Sequence, residues 1–214
     1  MTPGLKRGLY VITDCARLDY LDMLARTELM LRAGVAAVQY RDKNPDEETR
    51  RRIAARLHEL CLCHETPLII NDDVATALAV QAEGVHLGRE DAGQDEARRC
   101  LPEGTLIGIS CYSDLYRAAE AQAAGADYVA FGAFYPTQSK DKTVAAPLDL
   151  LTRARAELTV PVAAIGGITT ANCDKVLEAG ADLLAVISSV YLAADPYVEV
   201  SRFNEIIHGR RSES

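Results

Sequence analysis

The chain has 214 residues, 49% hydrophobic and 25% charged, with a formal net charge of -8, enough for one large core of ordinary globular composition. No apolar run approaches the ~20 residues that cross a bilayer, and the lysines and arginines are scattered without the basic stretch that a nucleic-acid groove or an anionic membrane surface would use. The six cysteines form no CxxC pair and no His/Cys cluster at zinc spacing, so reduced, mostly structural thiols are expected.

In chain order, the N-terminal "MTPGLKRGLYVITD" passes into a strand without an apolar signal core, which predicts a cytoplasmic protein. Short apolar segments then recur: "LYVITD" from Leu9, "AVQYR" from Ala37, "LIIND" from Leu68, "GVHLG" from Gly84, "LIGIS" from Leu106, "YVAFGAF" from Tyr128, "PVAAIGG" from Pro161 and "LLAVISS" from Leu183. Between them lie stretches such as "YLDMLARTELMLRAG", "DEETRRRIAARLHELC" and "DLYRAAEAQAAG", apolar at three-to-four spacing, with Gly34, Gly125 and Gly180 placed as helix stops. Strands apolar on both faces, each followed by a crossover, predict a parallel sheet covered by helices. A closed (β/α)8 barrel is the economical solution, and an open dinucleotide-binding sheet lacks its GxGxxG after the first strand. One barrel domain over residues 1–209 and a polar tail over 210–214 are expected. "AGADYVAFG" and "AGADLLAVI" repeat 55 residues apart, with "AGVAAVQY" a looser third copy, as in modular barrel growth.

Barrel chemistry collects at the C-terminal strand ends. There the second segment carries Gln39, Arg41 and Lys43 on alternate positions, the third Asn71, Asp72 and Asp73, the fourth Glu90 and Asp91, and the fifth Ser110. The sixth runs into Thr137, Ser139 and Lys140, the seventh into Gly166 and Gly167, and the eighth into Ser188 and Ser189. Each has a plainer explanation. "INDD" is a good helix cap, a Gly-Gly pair makes a tight turn, Arg41 and Lys43 suit a solvated edge, His86 reads as a hydrogen-bonded core residue, and Tyr112 and Tyr135 as rim packing. Closing the barrel brings these clusters to one rim. Arg41, Lys43 and Lys140 can meet phosphate charge; Asp72 and Asp91 end neighbouring strands and could share Mg²⁺; Gly166, Gly167 and Ser188 lie where barrels bind phosphate through backbone amides. Two anion sites and a metal suit the joining of two phosphorylated substrates, one with a diphosphate leaving group.

"YVITD", "VQYRDK", "LIINDD", "GVHLGRED", "IGISCY", "GAFYPTQSK", "AAIGGI" and "VISSVY", in order over residues 9–191, closely resemble the thiamine-phosphate synthase family. The resemblance implies condensation of 4-amino-2-methyl-5-(diphosphooxymethyl)pyrimidine with thiazole phosphate or its carboxylate, releasing diphosphate, and CO₂ as well with the carboxylated thiazole. It maps the pyrimidine diphosphate to Gln39, Arg41, Lys43, Asn71, Ser110 and Lys140, with Arg41, Lys43, Ser110 and Lys140 as the catalytic set. It maps Mg²⁺ to Asp72 and Asp91, and the thiazole phosphate to Thr137, Ser139, Gly167, Ile187 and Ser188. Ser139 stands where the family often has Thr, which keeps the hydroxyl. The implied partners are small-molecule substrates and, in a homo-oligomer, further copies of the chain; no nucleic acid and no membrane are expected. The alternatives are a thiazole tautomerase of the same barrel family, which needs neither metal nor diphosphate site, and a non-catalytic thiamine-phosphate sensor. Retention of Asp72, Asp91, Arg41, Lys43 and Lys140 argues against both.

Overall fold

The structure, a computed structural model, describes residues 5–44, 46–88, 93–136 and 145–209. Eight strands, Gly8–Ile12 (β1), Ala37–Tyr40 (β2), Leu68–Asn71 (β3), Gly84–Leu87 (β4), Leu106–Tyr112 (β5), Tyr128–Gly132 (β6), Val162–Ile165 (β7) and Leu183–Val186 (β8), pair in parallel in sequence order. Because β1 is hydrogen-bonded to both β2 and β8, the sheet closes into the expected barrel. Outside it lie Tyr20–Ala33 (α1), Glu47–Cys63 (α2), Val74–Val80 (α3), Gln94–Cys100 (α4), Leu115–Ala123 (α5), Asp149–Glu157 (α6), Cys173–Ala179 (α7), Ser188–Tyr191 (α8) and Pro196–Gly209 (α9). The tail expected over residues 210–214 lies outside the described residues. No described helix is long and apolar enough to cross a membrane.

Local chemistry sets the helix ends. Asp19 accepts from the Asp22 N–H at 2.9 Å to start α1, Met23, Thr27, Met30 and Leu31 form its buried stripe, and Gly34, left-handed at φ 87°, ends it. Strand parity then divides the core in two. Leu9, Val11, Val38, Ile70, Val129 and Leu184 point outward against Met23, Met30, Leu57, Leu151, Val176 and Phe203 of the helices. Tyr10, Ile12, Ala37, Ile69, Leu106, Tyr128, Ala130, Ala163, Leu183 and Ala185 fill the lumen. The lumen residues of β2, β6, β7 and β8 are chiefly alanine and leave space that the two tyrosines occupy. All six cysteines are free thiols, and burial pushes Cys111 up to about 12 and Cys15 and Cys173 up to about 11.

The repeated "AGAD" has a structural meaning at the barrel's N-terminal end. Asp127, just before β6, accepts from the Ile107 N–H of β5 at 2.8 Å, and Asp182, just before β8, accepts from the Val162 N–H of β7 at 3.0 Å. Glu83 does the same before β4, accepting from the Leu68 N–H of β3 at 2.8 Å. Each carboxylate therefore stitches its own strand to the preceding one, and Arg98 lies 2.6 Å from Asp127. The looser copy has Ala36 in this place and makes no such bond. Asp127→Ala strands a backbone donor at the foot of β5 and is expected to lower stability by about 1–3 kcal/mol, read from the urea midpoint. An unchanged midpoint would mean that the stitch contributes nothing to the fold.

Candidate active site

The inward parity of the lumen continues to the C-terminal rim. Gln39 lies two residues beyond Ala37, Asn71 two beyond Ile69, Ser110 two beyond Gly108 and Ile187 two beyond Ala185, so these four belong to the top of the lumen. Arg41 and Lys43 keep the same parity, but β2 ends at Tyr40 and both belong to the connection to α2. Their placement therefore depends on what holds that loop. Thr13, just past the end of β1, clamps Arg41, its hydroxyl accepting from the Arg41 N–H at 2.8 Å and donating to the Arg41 carbonyl at 3.1 Å. Asp42, between the two cations, lines the same cavity as Lys43 and is fixed by three hydrogen bonds. Its Oδ2 accepts from the Tyr20 hydroxyl at 2.8 Å and from the Tyr40 hydroxyl at 2.9 Å, and its Oδ1 accepts from the Asn44 N–H at 2.9 Å. Burial and this carboxylate both raise the Tyr40 phenol, which stays a donor.

A cavity of about 470 Å³ opens beside this loop, lined in part by Lys43, Arg50, Asn71, Asp72 and Asp73. Arg50 ties the two connections together, donating to the Asn44 carbonyl at 2.6 Å and reaching Asp73 Oδ2 at 3.4 Å. Asp73 is the N-cap of α3, accepting from the Thr76 N–H at 2.8 Å and the Thr76 hydroxyl at 2.7 Å. Burial alone would raise its carboxyl, but these bonds and Arg50 outweigh that and hold it below the usual range. Thus "INDD" is a cap, as one reading of the sequence had it, and Asp73 supplies it. Asp72 differs: it is exposed and left-handed at φ 65°, its N–H donating to the His86 carbonyl at 2.9 Å. A non-glycine residue held in this region is uncommon and clusters at functional sites. An exposed carboxylate at a rim that also carries Arg41 and Lys43 fits Mg²⁺, which takes one or two carboxylates and completes its shell with water and phosphate oxygens. Asp91, the other expected ligand, lies outside the described residues.

Beneath the rim a chain of polar groups crosses the otherwise apolar lumen. Gln39 Nε2 donates to the Tyr10 hydroxyl at 2.7 Å, and the Tyr10 and Tyr128 hydroxyls are 2.8 Å apart. The Tyr128 hydroxyl is 3.0 Å from His86 Nδ1, and His86 Nε2 is 2.9 Å from Ser110 Oγ. Five strands thus contribute to one chain of buried groups. His86 is a hydrogen-bonded interior residue, as its mid-strand position predicts, stacked on Tyr128 at 5.6 Å between ring centroids. Sequence reasoning passed over Tyr10 and Tyr128; the available signal was a polar-tipped side chain at an inward position of an otherwise apolar strand.

Across the barrel, Gly166 and Gly167 are left-handed at φ 105° and 62°, and their loop packs on the one after β6: the Tyr135 N–H donates to the Gly166 carbonyl at 3.1 Å. A Cβ on Gly167 would lie 2.5 Å from the Pro136 carbonyl oxygen. The glycine is therefore required first for loop-on-loop packing, and a valine there would displace the β6 connection rather than report on phosphate binding alone. Ser188 is exposed at the start of α8. Thr137, Ser139 and Lys140 lie outside the described residues.

A (β/α)8 barrel whose mouth gathers cations, hydroxyls and an exposed carboxylate defines a class: a barrel enzyme for anionic small molecules. The sequence matches the family described as thiamine monophosphate synthase over residues 9–190, and the chain belongs to that family. It is 55% identical to a thiamine-phosphate synthase of Azoarcus sp. (strain BH72) over 89% of this chain and 92% of that one. It is 50% identical to the corresponding protein of Thioalkalivibrio sulfidiphilus, over 92% and 93%. The structure of a thiamine phosphate pyrophosphorylase from Pyrococcus furiosus is 34% identical and superposes with a TM-score of 0.85, covering 96% of this chain and 97% of that one.

Proposed function

We propose that this protein joins an aminopyrimidine diphosphate to a thiazole phosphate, or to its carboxylate with loss of CO₂, forming thiamine phosphate and releasing diphosphate. The reading is carried by the 55% identity to a thiamine-phosphate synthase along nearly the whole chain. In the proposed reaction the bond from the exocyclic methylene to the diphosphate oxygen breaks first, and the electron pair leaves with the diphosphate. The aminopyrimidine ring delocalises the positive charge that remains, and the thiazole nitrogen then donates its lone pair to form the C–N bond. Arg41, Lys43 and Lys140 bind the leaving group and stabilise its growing charge, Ser110 donates to it, and Gln39 and Asn71 orient the pyrimidine. Thr137, Ser139, Gly167, Ile187 and Ser188 hold the thiazole phosphate. Asp72 and Asp91 would hold Mg²⁺, which when bound supplies charge neutralisation at the diphosphate. No protein nucleophile takes part. The catalytic unit is proposed to run over residues 1–209, with 210–214 a tail outside the chemistry, and a cytoplasmic location and self-association accompany this reading.

The test is diphosphate release by the full chain. Release that requires both substrates supports the reading. Release without the thiazole phosphate, or none with both present, would overturn it.

A further inference from the structure

Tyr10, Tyr128 and His86 lie below the groups assigned to substrate, yet they join two of them: Gln39 on β2 and Ser110 on β5 are the ends of one chain of hydrogen bonds. Tyr10 and Tyr128 are almost wholly inaccessible, and Tyr128 occupies the space above Gly108, where a Cβ would lie 2.0 Å from its ring. Desolvation raises both phenols, so each remains a neutral hydroxyl with one proton to give.

That single proton gives the chain a direction. The Gln39 amide donates to Tyr10, so the Tyr10 proton is left for Tyr128 and the Tyr128 proton for His86 Nδ1. A neutral imidazole that accepts at Nδ1 carries its own proton on Nε2 and donates it to Ser110 Oγ. The Ser110 proton is then the one left over. Among the described residues the Ser110 hydroxyl makes no other side-chain hydrogen bond, and at the top of the lumen its proton can turn into the mouth. The reverse direction needs Gln39 turned end for end, a proton on Nδ1, and Ser110 donating downward. It satisfies the same buried groups but offers an anion only the lone pairs of Ser110. The Gln39 amide, with its Nε2 on the Tyr10 hydroxyl, selects the first arrangement without any ligand, and an anion in the mouth would favour the same one.

We propose that this lumen chain is a directional relay that holds Ser110 as a hydrogen-bond donor into the mouth, with Tyr128 and His86 as positioning residues. The identity of the anion that Ser110 meets rests on the proposed function; the direction of the chain does not.

The experiment is nitrogen NMR on the full chain labelled at histidine, with His86 assigned through its contact to the Tyr128 ring. The expected result is a neutral imidazole protonated on Nε2, both in the free protein and with inorganic diphosphate and Mg²⁺ added. A proton on Nδ1, or an imidazolium, would overturn the relay, and this reading needs no variant to fold. In Tyr128→Phe, which keeps the ring but removes the hydroxyl, the apparent KM for the pyrimidine diphosphate is expected to rise about tenfold, while that for the thiazole phosphate stays within about twofold. An equal rise for both substrates marks a structural role only and overturns the proposal. A protein that shows the Nε2 tautomer but turns over neither substrate would keep the relay and remove the proposed function.

Discussion

Chelating divalent cations with EDTA is expected to bring diphosphate release to background, and Mg²⁺ added back is expected to restore it. The expectation follows from charge. A leaving diphosphate gains negative charge as its bond breaks, the charge of the exposed Lys43 is screened by water, and a bound cation stabilises such a leaving group by several kcal/mol. Asp72 is exposed at the rim and its backbone is already held by β4, so Asp72→Asn changes the carboxylate without disturbing packing. Loss of an outer-shell partner alone costs a metal site about 10–100-fold, so this substitution should raise the Mg²⁺ requirement by at least about tenfold. The measurement is rate against Mg²⁺ concentration for both proteins, with thermal melts as the control for folding. Full activity in EDTA would remove the metal from the reaction.

Arg41→Ala is expected to reduce kcat/KM for the pyrimidine diphosphate by about 10–150-fold, the equivalent of losing a charge-assisted contact of about 1.5–3 kcal/mol. The loop should survive, because both hydrogen bonds that fix Arg41 to Thr13 use backbone atoms of Arg41 and because Asp42 is anchored separately by Tyr20 and Tyr40. For the other half of the mouth, Gly167 is a poor probe because any side chain there strikes the Pro136 carbonyl. Ser188→Ala is the cleaner comparison: Ser188 is exposed, and the substitution should raise the KM for thiazole phosphate while leaving the pyrimidine diphosphate nearly unaffected. Steady-state kinetics with each substrate varied in turn decides the matter. If both variants weaken the same substrate, the division of the mouth into two halves is wrong.

How much of this was legible without coordinates depends on the range of the interaction involved. The eight apolar segments, the glycine stops at Gly34, Gly125 and Gly180 and the cap at Asp73 are local matters, because periodicity and backbone conformation are written within a few residues. Parallel pairing also followed, since strands apolar on both faces need helices on one side and a filled lumen on the other. The resemblance through eight ordered motifs reached the family directly, because groups that touch the same substrates recur with the same spacing.

Other features depended on residues far apart in sequence. Alternation alone put Gln39, Arg41 and Lys43 on one strand face, yet the strand ends at Tyr40, and the loop beyond it is aimed by Thr13, Tyr20 and Tyr40. The "AGAD" repeat was visible as a pattern, but its reason, a carboxylate accepting from the N–H of the preceding strand, exists only once two strands lie side by side. Tyr10 and Tyr128 stand 118 residues apart and looked like ordinary strand aromatics until barrel closure brought their hydroxyls within 2.8 Å. The sequence by itself determined which residues could form strands, helices and a phosphate-handling rim, since those properties are intrinsic to each side chain and its near neighbours. Only the tertiary structure decided which polar groups satisfy one another inside the lumen, because a buried hydroxyl takes whatever partner the closed barrel brings within reach.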